Sequence, residues 1–181
     1  MAINAQKKQV TGYGSLTIDP IKMRQSLSED PSYLSECLRS LLTDHVTGVL
    51  PSNHAIIGIP TSLTYSRSLS LPNATSQKLD EAIMLEADQY IPIPVSELNV
   101  SYEILQRSND RTEILMSAAP KKTIEHVVTA CELADIIPYV IEPSINSVAR
   151  LVALTEEGNL PTIIVDIGAV STDLAVIRDK I

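Results

Sequence analysis

Apolar residues along the chain switch between an alternating or continuous spacing, typical of strands, and a spacing of three and four, typical of helices. The predicted strands are 10–18, 55–60, 63–72, 100–106, 112–119, 136–141 and the two arms of a hairpin within 162–177. The predicted helices are 31–45, 77–90, 121–135 and one beginning at Ser144. Because strands and helices follow one another in mixed order, we expect an α/β fold with helices packed on sheets.

The segment 162–177, TIIVDIGAVSTDLAVI, combines a buried strand, a sharp break and a second strand. We expect Gly168 to adopt a backbone conformation that other residues avoid. The N–H groups of such a turn can hold an anion, and Asp166 beside them can position a metal ion or a water molecule against a phosphate. The alternative is a plain hairpin in which Gly168 serves only the turn.

Composition narrows the classes of protein and partner. The 181 residues are 44% hydrophobic, which is enough for one full domain or two small ones with a proper core. A formal charge of −8 and scattered Lys and Arg residues argue against a nucleic-acid-binding surface. No apolar run approaches the roughly 18 to 20 residues of a membrane span, and the N-terminus lacks the apolar core of a signal peptide. We therefore expect a soluble cytoplasmic protein that binds no nucleic acid and makes no direct membrane insertion.

Residue types with catalytic or metal-binding chemistry are few and scattered. Cys37 and Cys131 fall on the apolar faces of predicted helices, so we interpret them as buried side chains rather than as a disulfide or metal pair. His45, His54 and His126 share no ligand spacing with one another or with a cysteine. The sequence holds no Ser or Cys nucleophile motif, so we predict no catalytic residues and no metal site.

The sequence motif of the hairpin is Asp-Ile-Gly, then three residues, then Thr-Asp. This motif resembles the second phosphate-binding hairpin of the actin-like ATPase superfamily. That superfamily includes actin, the sugar kinases and the cell-division protein FtsA, and its complete members bind ATP and Mg²⁺. The resemblance implies a partial or vestigial phosphate hairpin. Its cofactor-binding residues are expected to be Asp166, Gly168, Ala169, Ser171 and Thr172.

A longer stretch of the chain resembles a narrower family. The sequences EADQYIPIP at 86–94, AAPK at 118–121 and the hairpin at 163–178 agree in order and spacing with PilM, the actin-like, FtsA-related family of type IV pilus assembly. The resemblance covers most of the chain. It implies a partial actin-like, ribonuclease H-like subdomain 1A at 10–60 and 143–181, with an inserted small α/β subdomain of the 1C type at 61–142.

The same resemblance implies an incomplete nucleotide site. Family members carry a first phosphate hairpin ahead of the strand that corresponds to 10–18, and a second large domain beyond the second hairpin, and this sequence matches neither. In such a fold the nucleotide is held between two hairpins and two domains, and we expect this chain to supply only one of these four sides. We therefore expect it to hold no cofactor by itself and to be no enzyme. Phosphoryl transfer needs positioning and charge stabilisation from several sides at once.

By resemblance, the chain is expected to be a cytoplasmic scaffold, peripheral at the inner membrane through its partners. Those partners are the N-terminal peptide of a PilN-type membrane protein, the pilus motor ATPases and a second copy of the chain bound through an exposed sheet edge. The residues expected to bind the peptide are Gly58, Ile59, Pro60, Tyr90, Ile91, Pro92, Ile93 and Pro94. The alternatives are an actin-like protein that binds and hydrolyses ATP, and an FtsA-like filament-forming cell-division protein.

Overall fold

The computed structural model describes residues 1–4, 6–7, 9–73, 76–155, 161–168 and 171–177. Contacts between Cα atoms divide the chain into two compact units. The first unit comprises Met1–Ile57 and Lys122–Ile141, and the second comprises Gly58–Lys121 and Glu142–Ile181. The subdomain bounds expected from the resemblance, 10–60 with 143–181 and 61–142, group the residues differently and stay a prediction.

The described residues form ten strands and five α-helices in mixed order. The strands are β1 (Ala2–Asn4), β2 (Gln9–Gly14), β3 (Val46–Gly48), β4 (His54–Ile59), β5 (Tyr65–Pro72), β6 (Leu98–Arg107), β7 (Arg111–Pro120), β8 (Ile137–Pro143), β9 (Thr162–Ile167) and β10 (Thr172–Ile177). The helices are α1 (Pro20–Ser28), α2 (Ser32–Asp44), α3 (Ser76–Tyr90), α4 (Lys121–Leu133) and α5 (Ser144–Thr155). None of these helices combines the length and apolar character that a bilayer crossing requires.

The predicted helices are confirmed as α2 to α5, and the predicted strands as β2 and β4 to β10. The strand predicted at 10–18 is too long, because β2 ends at Gly14 and α1 follows. Asp19 caps α1, with its Oδ1 accepting from the N–H of Ile21 at 2.8 Å, and Pro20 occupies the first turn. The short strands β1 and β3 were also not predicted.

The first unit contains an antiparallel sheet in the order β1-β2-β3. The central strand β2 lies very close to the residue before β3, because Gly14 has no side chain at this contact. A Cβ added to Gly14 would clash with the carbonyl oxygen of His45. In the same unit, Arg39 of α2 donates from Nε and Nη2 to the carbonyl oxygen of Leu133, at 2.8 and 2.5 Å. This guanidinium satisfies a carbonyl at the end of α4 that has no partner within the helix.

The second unit is built on the antiparallel sheet β5-β7-β6. Apolar residues from α3 and from one face of this sheet form one buried cluster. Its members are Leu69, Leu79, Ile83, Ala87, Ile91, Leu98, Ile114, Met116 and Ala118. The helix contributes positions four apart and the strands contribute alternate positions, so each element buries one side. Burial of this kind stabilises the unit by about 25 cal/mol per Å² of apolar surface.

The remaining strands of the described chain form two-stranded pairs. β4 pairs with β8, and β9 pairs with β10 in an antiparallel hairpin whose opposed residues include Asp166 and Asp173. Within the second unit, α5 packs against β10, and Asn146 of α5 lies 3.5 Å from the Ser117 hydroxyl of β7. The hairpin and the start of α5 are thereby held together in one unit.

We expect Gly48→Ala to destabilise the protein by about 2–3 kcal/mol, because Gly48 has a φ of +93° and the added Cβ would lie 2.4 Å from the Thr11 carbonyl oxygen. Urea unfolding followed by circular dichroism measures the change. Gly58→Ala is the matched control, since its Cβ would meet only Ser144, at 3.5 Å, and should change stability by less than about 0.5 kcal/mol. Equal effects at the two glycines would contradict this account of Gly48.

Candidate functional site

The turn of the β9–β10 hairpin holds most of the residues expected to face a phosphate. The N–H of Gly168 donates to the carbonyl oxygen of Ser171 at 2.9 Å and closes the turn. The prediction that Gly168 adopts a backbone conformation avoided by other residues is wrong, because the φ angle of Gly168 lies outside the left-handed region. A Cβ there would instead sit 3.1 Å from the Ser171 carbonyl oxygen, so close approach of the chain favours glycine. Ala169 and Val170 lie outside the described residues.

A cavity of about 230 Å³ opens beside this turn, within the second unit. Its lining combines three sources: the end of β4, the start of α5 and the β9–β10 hairpin. The lining residues are Gly58, Pro60, Ser144, Asp166, Gly168, Ser171 and Asp173. The cavity therefore brings two residues expected to bind a peptide together with three expected to face a phosphate. Thr172, the remaining described phosphate candidate, is exposed but is not part of this lining.

The cavity lining is acidic. Asp166 and Asp173 are direct cross-strand partners in the hairpin, and in the described part of the chain neither carboxylate forms an ion pair. Like charges placed opposite each other on adjacent strands repel, which slightly destabilises this pairing of the two strands. Among the described residues, the lining contains no Lys, Arg or His that could offset these charges.

These residues do not fit a bound nucleotide. A triphosphate needs cationic groups or a metal ion around it, whereas the lining offers two carboxylates and small polar groups. The volume of about 230 Å³ is also below the range of roughly 300–1,000 Å³ typical of ligand pockets. Across the described residues, no group of three or more His, Cys, Asp or Glu side chains is arranged to hold a metal ion.

A second candidate surface lies at the end of α3, in the same unit. The helix ends at Tyr90 because Pro92 disfavours helical geometry in the residue before it. Ile91 is only 4% exposed, and its N–H donates to the carbonyl oxygen of Ala87 at 2.9 Å. Tyr90 is 47% exposed, and the guanidinium of Arg67 lies over its ring, 4.7 Å from the centroid. The aromatic ring is thus held in place while remaining accessible on one side.

The segment that follows Tyr90 is fixed and partly exposed. Pro92 and Pro94 are exposed, whereas Ile93 packs against the apolar cluster of the unit. A 3-10 turn at Val95–Glu97 follows, and Lys121 donates from Nζ to the carbonyl oxygen of Ser96 at 2.7 Å. The chain bends at Pro92 and Ile93, and these side-chain contacts hold the segment on the surface of the unit.

The predicted peptide-binding residues fall into two groups in the structure. Gly58 and Pro60 line the cavity, while the segment Tyr90 to Pro94 contributes nothing to that lining. Ile59 and Ile91 are 3% and 4% exposed, so their side chains anchor the two segments in the core. Whether either group binds a partner stays a prediction.

Sequence reasoning missed two cavity residues, Asp173 and Ser144. Asp173 follows Asp166 by seven residues, and only the hairpin register reveals that they face each other. Ser144 is the first residue of α5, and nothing near it in the sequence indicates that it meets Gly58. The only local signal was the start of a helix after Pro143. That signal predicts α5, but it does not show that the first residue of α5 contacts Gly58.

The start of α5 is stabilised by a carboxylate just outside it. Glu142 accepts from Arg150 Nη2 at 2.5 Å and from the Ser147 hydroxyl at 2.6 Å. The bond from Arg150 is the main cause that lowers the pKa of Glu142, and the bond from Ser147 contributes as well. The ion pair between Glu142 and Arg150 also raises the pKa of Arg150. The side chain of Glu142 is 11% exposed, so the pair is shielded on the carboxylate side. It holds in place the first turn of α5, which supplies Ser144 to the cavity.

Comparison with known proteins identifies the fold. A family model described as type IV pilus assembly protein PilM matches residues 5–181. The structure is similar to a chain of the PilM-PilN type IV pilus biogenesis complex, with 21% identity and a TM-score of 0.75 over 91% of this chain and 50% of that one. It is also similar to the cytoplasmic domain of EpsL, an inner membrane component of the type II secretion system of Vibrio cholerae, with 10% identity, a TM-score of 0.50, and coverage of 83% and 53%.

These matches confirm the resemblance and the actin-like α/β fold class expected from the sequence. The chain spans about half the length of the solved chains that it matches. At identities of 21% and 10%, those two likenesses establish the fold alone.

We expect Glu142→Gln to lower the free energy of unfolding at pH 7 by about 1 kcal/mol, because the mutation removes a charge-assisted bond to Arg150. The folded-state pKa of Glu142 is lowered from 4.5, so this contribution is complete above that pH and is lost as the pH falls through the lowered pKa. Urea unfolding at pH 7, 4.5 and 3 measures the difference between variant and parent. Glu81→Gln, at an exposed site on α3, is the control, and a difference that is constant across pH would refute the assignment.

Proposed function

Because the chain belongs to the PilM family of type IV pilus assembly proteins, we propose that it acts as a cytoplasmic scaffold that binds the N-terminal peptide of a PilN-type inner-membrane protein. The family match over residues 5–181 carries this proposal. The likeness of the fold to the chain of a PilM-PilN complex supports it. By binding such a peptide, the scaffold lies at the inner membrane through its partner and connects that partner to the pilus motor ATPases.

The surface at the end of α3 has features suited to an extended peptide. Tyr90 offers a flat aromatic face that is already held by Arg67, so little side-chain entropy is lost when a partner packs on it. Pro92 and Pro94 lack N–H groups and therefore cannot extend a backbone ladder. This segment contributes side-chain packing and carbonyl acceptors, and backbone pairing with the peptide falls to other residues such as Gly58.

We propose that this role requires no ATP hydrolysis. The described cavity presents Asp166 and Asp173 without a basic side chain in its lining, whereas phosphoryl transfer depends on positive charge placed around the reacting phosphate. The hairpin residues predicted to face a phosphate then serve as a structural element in this chain. Peptide capture uses a complementary surface rather than reacting groups, and the exposed ring of Tyr90 supports this part of the proposal.

We expect Tyr90→Ala to weaken binding of a fluorescent PilN-type N-terminal peptide about tenfold, or about 1.4 kcal/mol, because exposed aromatic side chains anchor interfaces. Fluorescence anisotropy measures the dissociation constant. Tyr139→Ala is the matched control, since Tyr139 is 78% exposed and lies in the first unit. We expect that variant to bind within about twofold of the parent.

Two results would contradict the peptide proposal. One is an equal loss of affinity in Tyr90→Ala and Tyr139→Ala, which would remove any special role of the α3 surface. The other concerns amide chemical shifts, which we expect near 58–64 and 91–95 when peptide is added. Shifts confined to the β9–β10 hairpin would place the peptide elsewhere.

For nucleotide, we expect calorimetry with ATP and Mg²⁺ to show no binding tighter than about 1 mM, because the acidic cavity repels a triphosphate. The informative variant is Asp166→Asn, which removes one of the two cavity charges. Binding by the parent with a dissociation constant below about 100 µM, lost in Asp166→Asn, would show that the hairpin holds a metal-bound nucleotide and would favour the ATPase alternative.

A further inference from the structure

The segment after α3 offers a bound peptide more hydrogen-bond acceptors than donors. Pro92 and Pro94 have no N–H, and the N–H of Ile91 already donates to the carbonyl oxygen of Ala87 at 2.9 Å. At most the N–H of Ile93 is then left for a partner in this stretch. A peptide carbonyl that is shielded from water without a donor costs free energy. A peptide seated here therefore needs a donor from another element.

Arg67 of β5 is placed to supply that donor. Its cross-strand partner Met116 belongs to the apolar cluster, so Arg67 lies on the face of the sheet that α3 covers. β5 is an edge strand of this sheet, and the guanidinium lies 4.7 Å from the ring centroid of Tyr90, at the end of α3. Among the described residues this guanidinium forms no ion pair and no hydrogen bond, whereas Arg111 and Arg150 of the same unit both donate to protein oxygens.

The contact with Tyr90 prepares the guanidinium for a hydrogen bond. The face of an aromatic ring offers no lone pair, so the N–H groups of Arg67 keep their capacity to donate to an oxygen. The contact also restricts the arginine side chain in advance, which reduces the rotamer entropy lost on binding. Arg39 shows the bond that results, since its Nε and Nη2 both donate to the main-chain carbonyl oxygen of Leu133, at 2.8 and 2.5 Å.

The nearby acidic residues favour a neutral carbonyl over an acidic side chain as the acceptor. Glu86 and Asp88 lie near the end of α3, and Glu97 lies in the 3-10 turn that follows the prolines. None of the three forms an ion pair with a described residue. Their charges oppose the approach of a carboxylate, as does the formal charge of −8 on the chain. A main-chain carbonyl is neutral and reaches Arg67 without this repulsion.

We propose that Arg67 binds a main-chain carbonyl oxygen of the partner peptide. The inference rests on the proposed peptide-binding function and divides recognition between two neighbouring side chains. Tyr90 packs against an apolar part of the peptide, while Arg67 holds the peptide backbone. Because every residue carries the same carbonyl group, this bond fixes the path of the peptide and leaves sequence selection to pockets for its side chains.

Amide-to-ester substitution in the peptide tests this bond, because an ester carbonyl is a weaker acceptor than an amide carbonyl. Fluorescence anisotropy measures the dissociation constants of a PilN-type N-terminal peptide and of copies that carry one ester each. We expect one ester position to weaken binding to the parent about fivefold and to have less than about a 1.5-fold effect in Arg67→Met. The N–H that an ester also removes affects both proteins equally, so the comparison cancels its contribution.

Controls separate this bond from charge and from positioning of Tyr90. Arg67→Met should weaken binding of the all-amide peptide about tenfold. Arg107→Met removes the same charge from an exposed site at the opposite end of β6 from the prolines, and should bind within about twofold of the parent. Arg67→Gln gives the same ester comparison with a polar side chain, so the test does not depend on the folding of one variant.

The affinity of the parent separates this inference from the proposed function. A parent that does not bind the all-amide peptide would end both. If the parent binds and each ester has the same effect in the parent and in Arg67→Met, peptide binding stands and Arg67 serves only to position Tyr90, which overturns the inference. Equal losses of affinity in Arg67→Met and Arg107→Met would show a general effect of charge and would overturn it as well.

Discussion

The packing of α3 against the β5-β7-β6 sheet is the contact on which the second unit depends. Ile83 and Ala87 of the helix and Ile114 and Met116 of the sheet are almost completely shielded from water. Because protein interiors are close-packed, this contact fixes the position of the helix along the sheet. Because the helix cannot shift, its end is also fixed in place, and the exposed ring of Tyr90 projects from a rigid support. For the peptide binding proposed above, a surface that is already rigid requires little additional ordering.

The register of the β9–β10 hairpin decides the character of both its faces. Pairing Asp166 with Asp173 places both carboxylates in the cavity and sets Val165 and Leu174 together on the other side. A slip of one residue in either strand would exchange the apolar and acidic positions of that strand. The acidic cavity and the exposed apolar face are therefore two consequences of one alternating sequence, and the turn closed by Gly168 holds that register.

The sequence predicted those elements whose cause is local. The spacing of Leu79, Ile83 and Ala87 predicted α3, and the proline at 92 predicted its end. Strands of three residues such as β1 carry too few positions to show a period, and they form only because β2 lies beside them. The meeting of Ser144 with the hairpin depends on contacts between distant parts of the chain, which no local pattern encodes. The pair Asp19-Pro20 is a helix-start signal that could have predicted α1. The apolar stripe of α1 is weak, so the periodicity of the sequence did not indicate a helix there.

The family and the geometry of the cavity agree on the kind of function to expect. An actin-like fold binds nucleotide when donors and cations surround the phosphates, and fold alone supplies neither. In this chain the hairpin predicted to face a phosphate lines a small cavity in which, among the described residues, two carboxylates form no ion pair. The role proposed for the α3 surface, in contrast, needs only shape and a fixed aromatic group. The recognition role proposed for this chain therefore does not depend on the conditions that nucleotide chemistry requires.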